Sequence, residues 1–559
     1  MKYLPLIFAL AFGTIQAEAK CFEHGCHCDQ NLAYTQMVVN TPDATVEKVG
    51  VPKVSDVCFS SRSIHIPYAK SPLDTIASFK AFHATRMNWM YINQFTPAQI
   101  VKQFVSLYTP LHIPTQMAIS GDIYPPFPQD PKVNPSSYGV KLDINQKIIA
   151  FPGSGRNMGC PASSVLMTFK KKEIKDAFSF SFADSIQFDD PGFWNYVPRV
   201  GPGFINYRCY CDYCLSDFRT YLKNQFSEGK ISSALLKSEG VTTATTPDKI
   251  QQDIAKFDFR TFVLAKKWNP NGVFPPHPIE TWYASSAYIN LNSYWTAVRS
   301  YILALNPHYK MSGNFSRWHD ALDMSNFDYS LAECQPDQAN PQFVYDTCKA
   351  AEEAGKIQVF TTVSSDIARS RRMTALTTAS DGCHIVPWDV FVLNEPRLYG
   401  NPQDFADVYA FIRYLGPHYL DGYKIISIKG GTIPAAALQD PSLKALPSLS
   451  IDRPSVVAYI RQNTSNQVVF HLVDVQENRG QVTPVTLTVK KADLLPSVHL
   501  TGFVTTKTYD QAAHDGANQT GDYSKTVQLE NLQVSFYQEN GETWVKVEIP
   551  DLRLWGVIF

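Results

Sequence analysis

The side chains best suited to chemistry lie in one stretch, Phe182 to Leu222, FADSIQFDDPGFWNYVPRVGPGFINYRCYCDYCLSDFRTYL. The apolar run Ile186-Gln187-Phe188 ends in two adjacent carboxylates, Asp189 and Asp190, and Pro191-Gly192 then breaks it. Neighbouring side chains on a strand point to opposite sides. One of the pair is therefore expected to face a cavity while the other braces it. On its own an Asp-Asp-Pro-Gly run reads as a turn cap. Phe193, Trp194 and Tyr196 just beyond shift the reading toward a surface on which a sugar can stack.

Further on comes Cys209-x-Cys211-x-x-Cys214, opening a helix whose apolar face is Leu215, Phe218, Tyr221 and Leu222. Three thiols this close cannot all pair with one another without strain, whereas thiolates converging on one turn suit tetrahedral zinc. Cys160, in an irregular loop upstream, is the candidate fourth ligand. The competing reading is a disulfide plus a free thiol. Four cysteine ligands leave no open position for water, so the zinc expected here is structural.

The elements that must position these groups follow a rhythm. Short β-type runs at Ser63 to Tyr68, Met87 to Ile92, Gln116 to Ile119 and Phe178 to Phe188 are followed by others at Lys310 to Phe315, Phe327 to Ala332, Gln358 to Val363 and His384 to Val390. Helical patterns such as Leu73 to His83 and Pro97 to Tyr108 separate the early ones. Eight strands alternating with helices predict an α/β fold, a (β/α)8 TIM barrel with its site at the C-terminal strand ends. No G-x-G-x-x-G turn follows the first strand, which ranks a doubly wound sheet lower. Past Pro417 come strands without helices, at Val456 to Ile460, Val468 to Val473, Val485 to Val489, Val527 to Tyr537 and Trp544 to Ile549. They predict a C-terminal antiparallel β-sandwich. The expected domains are an irregular, Cys-containing segment over 20–60, the barrel over 61–420 with an insertion at about 227–289, and the sandwich over 421–559.

Residues 1–19 read as a cleavable signal peptide: Lys2, the apolar run Leu4 to Phe12, then Ala17-Glu18-Ala19. Export to the extracellular space or periplasm is expected, as a soluble chain with no integral membrane segment. Among 559 residues, Lys plus Arg (50) and Asp plus Glu (51) nearly cancel. This argues against a nucleic-acid partner. An odd eleven cysteines cannot all pair within one chain. Setting the four zinc candidates aside leaves Cys21, Cys26, Cys28, Cys58, Cys334, Cys348 and Cys383 for any disulfides.

The cluster CYCDYC followed by SDFRTYL resembles the zinc-binding region of the glycoside hydrolase family 42 β-galactosidases and related barrel hydrolases. The resemblance implies that Cys160 completes the metal site, and that Asp189-Asp190 stands where the family has Asn and its acid/base Glu. Tyr329-Ser330-Leu331-Ala332-Glu333 looks like the strand that ends in the family's nucleophilic Glu. That family carries it on the seventh strand, whereas the strand count here puts Glu333 on the sixth.

Glycosidic hydrolysis needs one carboxyl to protonate the leaving oxygen and another to attack carbon or activate water. Asp190 and Glu333, at the same end of two barrel strands, meet that need, with the two roles unassigned. Asp366 and Asp389 end strands too, and with Asp189, Trp194, Trp388, His65 and Asn314 they make up the expected sugar-binding set. Each has a plainer reading as a cap, core residue or hydrogen-bonded neighbour. The function expected is a secreted glycosidase acting on a carbohydrate. A non-catalytic sugar-binding barrel and a polysaccharide lyase are the alternatives, and oligomeric state is not legible.

Overall fold

The computed structural model describes the chain from residue 50 onward, apart from 61–78, 91–112, 125–131, 151–155, 181–182, 190, 193–207, 271, 273, 315–323, 335–339, 363–365, 386–401, 431–442 and 444. Eight parallel strands close into a barrel in sequential order. They are β1 (Val57–Ser60), β2 (Arg86–Met90), β3 (Thr115–Ser120), β4 (Ser185–Asp189), β5 (Lys310–Asn314), β6 (Tyr329–Cys334), β7 (Gln358–Thr362) and β8 (Cys383–Ile385). Seven of the eight runs read from the sequence overlap one of these strands.

The exception is the first. The barrel opens on Val57–Ser60, ahead of the expected boundary at 61, and β1 closes the ring by pairing with both β2 and β8. The expected run Ser63 to Tyr68 lies outside the described residues, as do the signal segment and Pro97 to Tyr108. The run Phe178 to Phe188 is also not one strand. Its start belongs to helix α1 (Ser164–Phe180), where Phe178 stacks on Tyr309 at 3.9 Å.

Alternation sorts each barrel strand into two faces. In β4, Ile186 and Phe188 join the core between strands and helices. Ser185, on the other face, lies inside the barrel. There Gln116 Nε2 donates to Ser312 Oγ (2.8 Å) and Tyr329 Oη (2.5 Å), and Tyr329 Oη donates to Ser185 Oγ (3.3 Å). Above this polar layer Cys58, Trp89, Ala118, Leu331, Val359, Cys383 and Ile385 form an apolar one. The interior is thus packed in layers, as in barrels whose sites lie at the C-terminal rim.

Between β4 and β5 run helices α2 (Asp212–Ser227), α3 (Ser233–Ser238), α4 (Pro247–Lys256), α5 (Phe259–Ala265) and α6 (Pro278–Leu305). The insertion expected at 227–289 as a polar excursion is helical and ends inside α6. It has its own apolar centre, in which Phe218, Leu222, Leu236, Ile254, Phe259 and Tyr283 are all buried. Helices α7 (Pro341–Glu353) and α8 (Ile367–Ala379) connect the last barrel strands, and α9 (Pro402–Leu415) leads out.

The C-terminal part is two antiparallel sheets of six and four strands, as expected of a sandwich. The run Val527 to Tyr537 divides into Val527–Asn531 and Gln533–Glu539, which belong to different sheets. A helix unforeseen in the sequence, α10 (Gln511–Thr520), docks on the barrel. Its buried His514 meets His83, Nδ1 to Nε2 at 2.6 Å. Arg461, also fully buried, bonds the carbonyls of Thr378, Leu420 and Tyr423 and the carboxylate of Asp381.

Candidate functional site

Strand β4 carries Asp189 to the rim in register with its neighbours: Ser120 pairs with Asp189 across β3 and β4, and Phe188 pairs with Gly313 across β4 and β5. Asp189 shares its face with Ser185 and Gln187, so it is the member of the Asp-Asp pair that looks along the barrel axis. Asn314, one residue past Gly313, donates Nδ2–H to Asp189 Oδ1 at 2.9 Å. The turn after the strand is fixed from outside, because Trp295 on α6 donates its indole N–H to Pro191 O at 2.9 Å and packs edge-on against Phe188. Gln187, one layer below Asp189, is fully buried with neither amide atom paired among the described residues.

The backbone of Glu333 lies on β6, paired with Thr361 of β7, which agrees with the sixth-strand count. Two strands of the rim therefore carry an acidic residue at or next to their C-terminal end: β4 ends in Asp189, and β6 ends one residue beyond Glu333. Asp190, Trp194, Trp388, Asp389 and His65 lie outside the described residues. Asp366 is described and serves as the N-cap of α8, Oδ1 accepting the Arg369 N–H at 3.0 Å.

The cysteines form the second feature of this end. Cys160 follows the two-residue strand Asn157–Met158, while Cys211 is the N-cap of α2 and Cys214 lies in its first turn. All four sulfurs of Cys160, Cys209, Cys211 and Cys214 are buried and within 4.8 Å of one another. Three of the separations are 3.4, 3.5 and 3.6 Å. A tetrahedron with metal–sulfur bonds of ~2.3 Å has edges of roughly 3.8 Å. A disulfide needs ~2.05 Å between two sulfurs. The spacing thus fits four ligands around one ion, and the group could hold a metal. Burial raises the Cys209 thiol, yet hydrogen bonds from Cys160, Cys211 and Cys214 outweigh it and hold Cys209 well below the ordinary thiol range.

Among the cysteines set aside for disulfides, Cys58, Cys348 and Cys383 are free and buried. Cys58 Sγ and Cys383 Sγ approach to 3.3 Å on the seam of the barrel, but Cys58 is level with Ile385, two residues along. That contact is longer than the ~2.05 Å of a disulfide bond.

Sequence reading missed the charges buried between these two features. Asp122 lies two residues past β3 and is fully buried; so is Lys141, and Lys170 with it. Burial pushes the Asp122 carboxyl up to about 7, with Asp189 adding to the shift and Lys141 and Lys170 opposing it. Burial likewise lowers the Lys141 ammonium, opposed by the charges of Asp122 and of Cys209, Cys160 and Cys214. An Asp directly after the strand end Ala118-Ile119-Ser120-Gly121 was the available signal.

No family model and no curated protein sequence matches the chain. Solved structures do match in fold. A cycloisomaltooligosaccharide glucanotransferase from Paenibacillus sp. aligns with 90% of this chain and 84% of its own, at 8% identity and a TM-score of 0.50. An α-L-fucosidase from Paenibacillus thiaminolyticus covers 91% and 99% at 10% identity and TM-score 0.45. A β-galactosidase from Halorubrum lacusprofundi covers 64% and 58% at 12% identity and TM-score 0.44. At these identities the likeness is one of fold alone.

Proposed function

We propose that this protein is a secreted glycoside hydrolase that cleaves glycosidic bonds in an extracellular oligo- or polysaccharide. The observation that carries the reading is Asp189, held by Asn314 at the C-terminal rim of a closed parallel barrel whose sixth strand carries Glu333. In barrels of this kind the rim is where catalytic groups are placed. Asp190 and Glu333 are the carboxyl pair: one protonates the leaving oxygen and the other attacks the anomeric carbon or activates water. Asp189 and Asn314 bind sugar hydroxyls, and Trp194 and Trp388 offer stacking faces. His65 and Asp389 would bind further sugar hydroxyls, whereas Asp366 caps α8.

Cys160, Cys209, Cys211 and Cys214 would hold zinc. With four thiolates it would supply rigidity rather than chemistry, since no coordination position remains for water. Export rests on the character of residues 1–19. Among the described residues no helix is long and apolar enough to cross a membrane.

A panel of aryl glycosides and polysaccharides, with product anomers followed by NMR, tests the reading. Release of reducing sugar is expected. Ultraviolet-absorbing unsaturated products would mark a lyase, and sugar binding without turnover a non-catalytic barrel.

A further inference from the structure

Asp122 is a buried acid whose surroundings do little to satisfy it. Its Oδ1 accepts from Ser120 Oγ at 3.3 Å, and Oδ2 has no partner among the described residues. A carboxyl placed this way destabilises the fold when it ionises. Natural chains tolerate such a departure mainly at functional sites.

The backbone around Asp122 explains where it acts. Gly121 N–H donates to Asp189 O at 2.5 Å, and Asp122 O accepts from Gly159 N–H at 2.6 Å, one residue before Cys160. Lys170 Nζ reaches over from α1 to Ser120 O (2.8 Å) and to Glu173 (2.6 Å). The turn Ser120-Gly121-Asp122 is thus clamped between the end of β4 and the cysteine-bearing loop.

We infer that the Asp122 carboxyl is a positioning group of the barrel mouth: main-chain bonds tie the turn that carries it to the end of β4 and to the Cys160 loop, and the carboxyl sets the charge beside Asp189. The inference rests on reading that mouth as the active site. The groups facing it are Asp189 from β4, Lys141, Lys170 and Glu173 from α1, and Tyr294 from α6. Protonated, Asp122 adds no charge beside Asp189. Ionisation of Asp122 adds a negative charge at a site with little water to screen it.

The sign of the stability effect is specific. The fold favours protonated Asp122, so its contribution is full below the unfolded carboxyl range and is lost as pH rises through about 7. Asp122→Asn keeps the shape and removes the titration. Thermal midpoints of wild type, D122N, D189N and the double variant, each in the same buffers from about pH 4 to about pH 8, test the coupling. D122N is expected to match wild type at the acid end and exceed it by a few degrees at the alkaline end. That gap should narrow in the D189N background. A D122N curve parallel to wild type, or a gap indifferent to Asp189, overturns the inference.

On whichever aryl glycoside the wild type cleaves, D122N should shift the alkaline limb of the kcat profile and lower kcat about tenfold while KM stays within about twofold. An unchanged profile also overturns it. A wild type that cleaves none defeats the proposed function, and the thermal comparison then decides Asp122 by itself.

Discussion

Asn314 Nδ2 donates a hydrogen bond to Asp189 Oδ1 at 2.9 Å, joining the ends of the fourth and fifth barrel strands by their side chains. The bond helps to fix the orientation of that carboxylate. Asn314→Ala removes the donor and keeps the strand. Activity is expected to fall ~10- to 100-fold, since small displacements of a positioned group carry such losses. Stability should change by only about 1 kcal/mol. Steady-state kinetics alongside thermal unfolding separate the two, and a variant with unaltered kcat/KM would remove Asp189 from the site.

The cysteine cluster predicts a stoichiometry. Purified protein should contain one zinc ion per chain by elemental analysis. Cys160→Ser and Cys214→Ser should each lose the metal and unfold at lower temperature, because metal binding energy is available only to the folded site. Metal-free wild type with full stability and a disulfide among Cys209, Cys211 and Cys214 would contradict the assignment.

A pH dependence follows from the histidines between barrel and sandwich. His83 donates Nδ1–H to Asn518 Oδ1 at 2.8 Å, which leaves its Nε2 to accept from His514 Nδ1–H. Burial, reinforced by His514, pushes His83 from 6.5 down to about 4. Folding therefore favours the neutral ring, and the stability it contributes is present above about 6.5 and lost as pH falls toward about 4. The loss amounts to about 3 kcal/mol across that window. His83→Gln should flatten the acid side of the unfolding-midpoint curve. A variant whose curve stays as steep as wild type would show that the pair does not titrate there.

Arg461 offers a purely structural test. Its guanidinium reaches three carbonyls and Asp381 in a place with no access to water. Arg461→Met leaves these acceptors and a largely buried carboxylate unpaired, at a cost of ~3–5 kcal/mol. Denaturant unfolding measures it, and a change under about 1 kcal/mol would count against the network's role in joining the two parts.

Much of this architecture was legible in the sequence because strand alternation and helical spacing are local. The Ile186-Gln187-Phe188 run, the sixth-strand position of Glu333 and the cysteine turn ahead of Leu215 and Phe218 all follow from spacing. The first strand was misplaced because Val57–Ser60 is four residues long, while Ser63 to Tyr68 nearby alternates more clearly. Val527 to Tyr537 read as one strand because nothing at Leu532 announces that the chain changes sheets. Asp122, Lys141, His83 and His514 were invisible for a different reason. Their burial depends on partners tens to hundreds of residues away, and no local pattern encodes that two charges or two imidazoles will meet.

The carboxylate pair is the central claim, and one comparison tests it most directly. Wild type, Asp190→Asn and Glu333→Gln are assayed for hydrolysis of the same glycoside, with sugar binding measured in parallel by calorimetry. The account predicts turnover by wild type, a loss of at least about a thousandfold in kcat for each variant, and affinity retained. Variants that hydrolyse at the wild-type rate would contradict it.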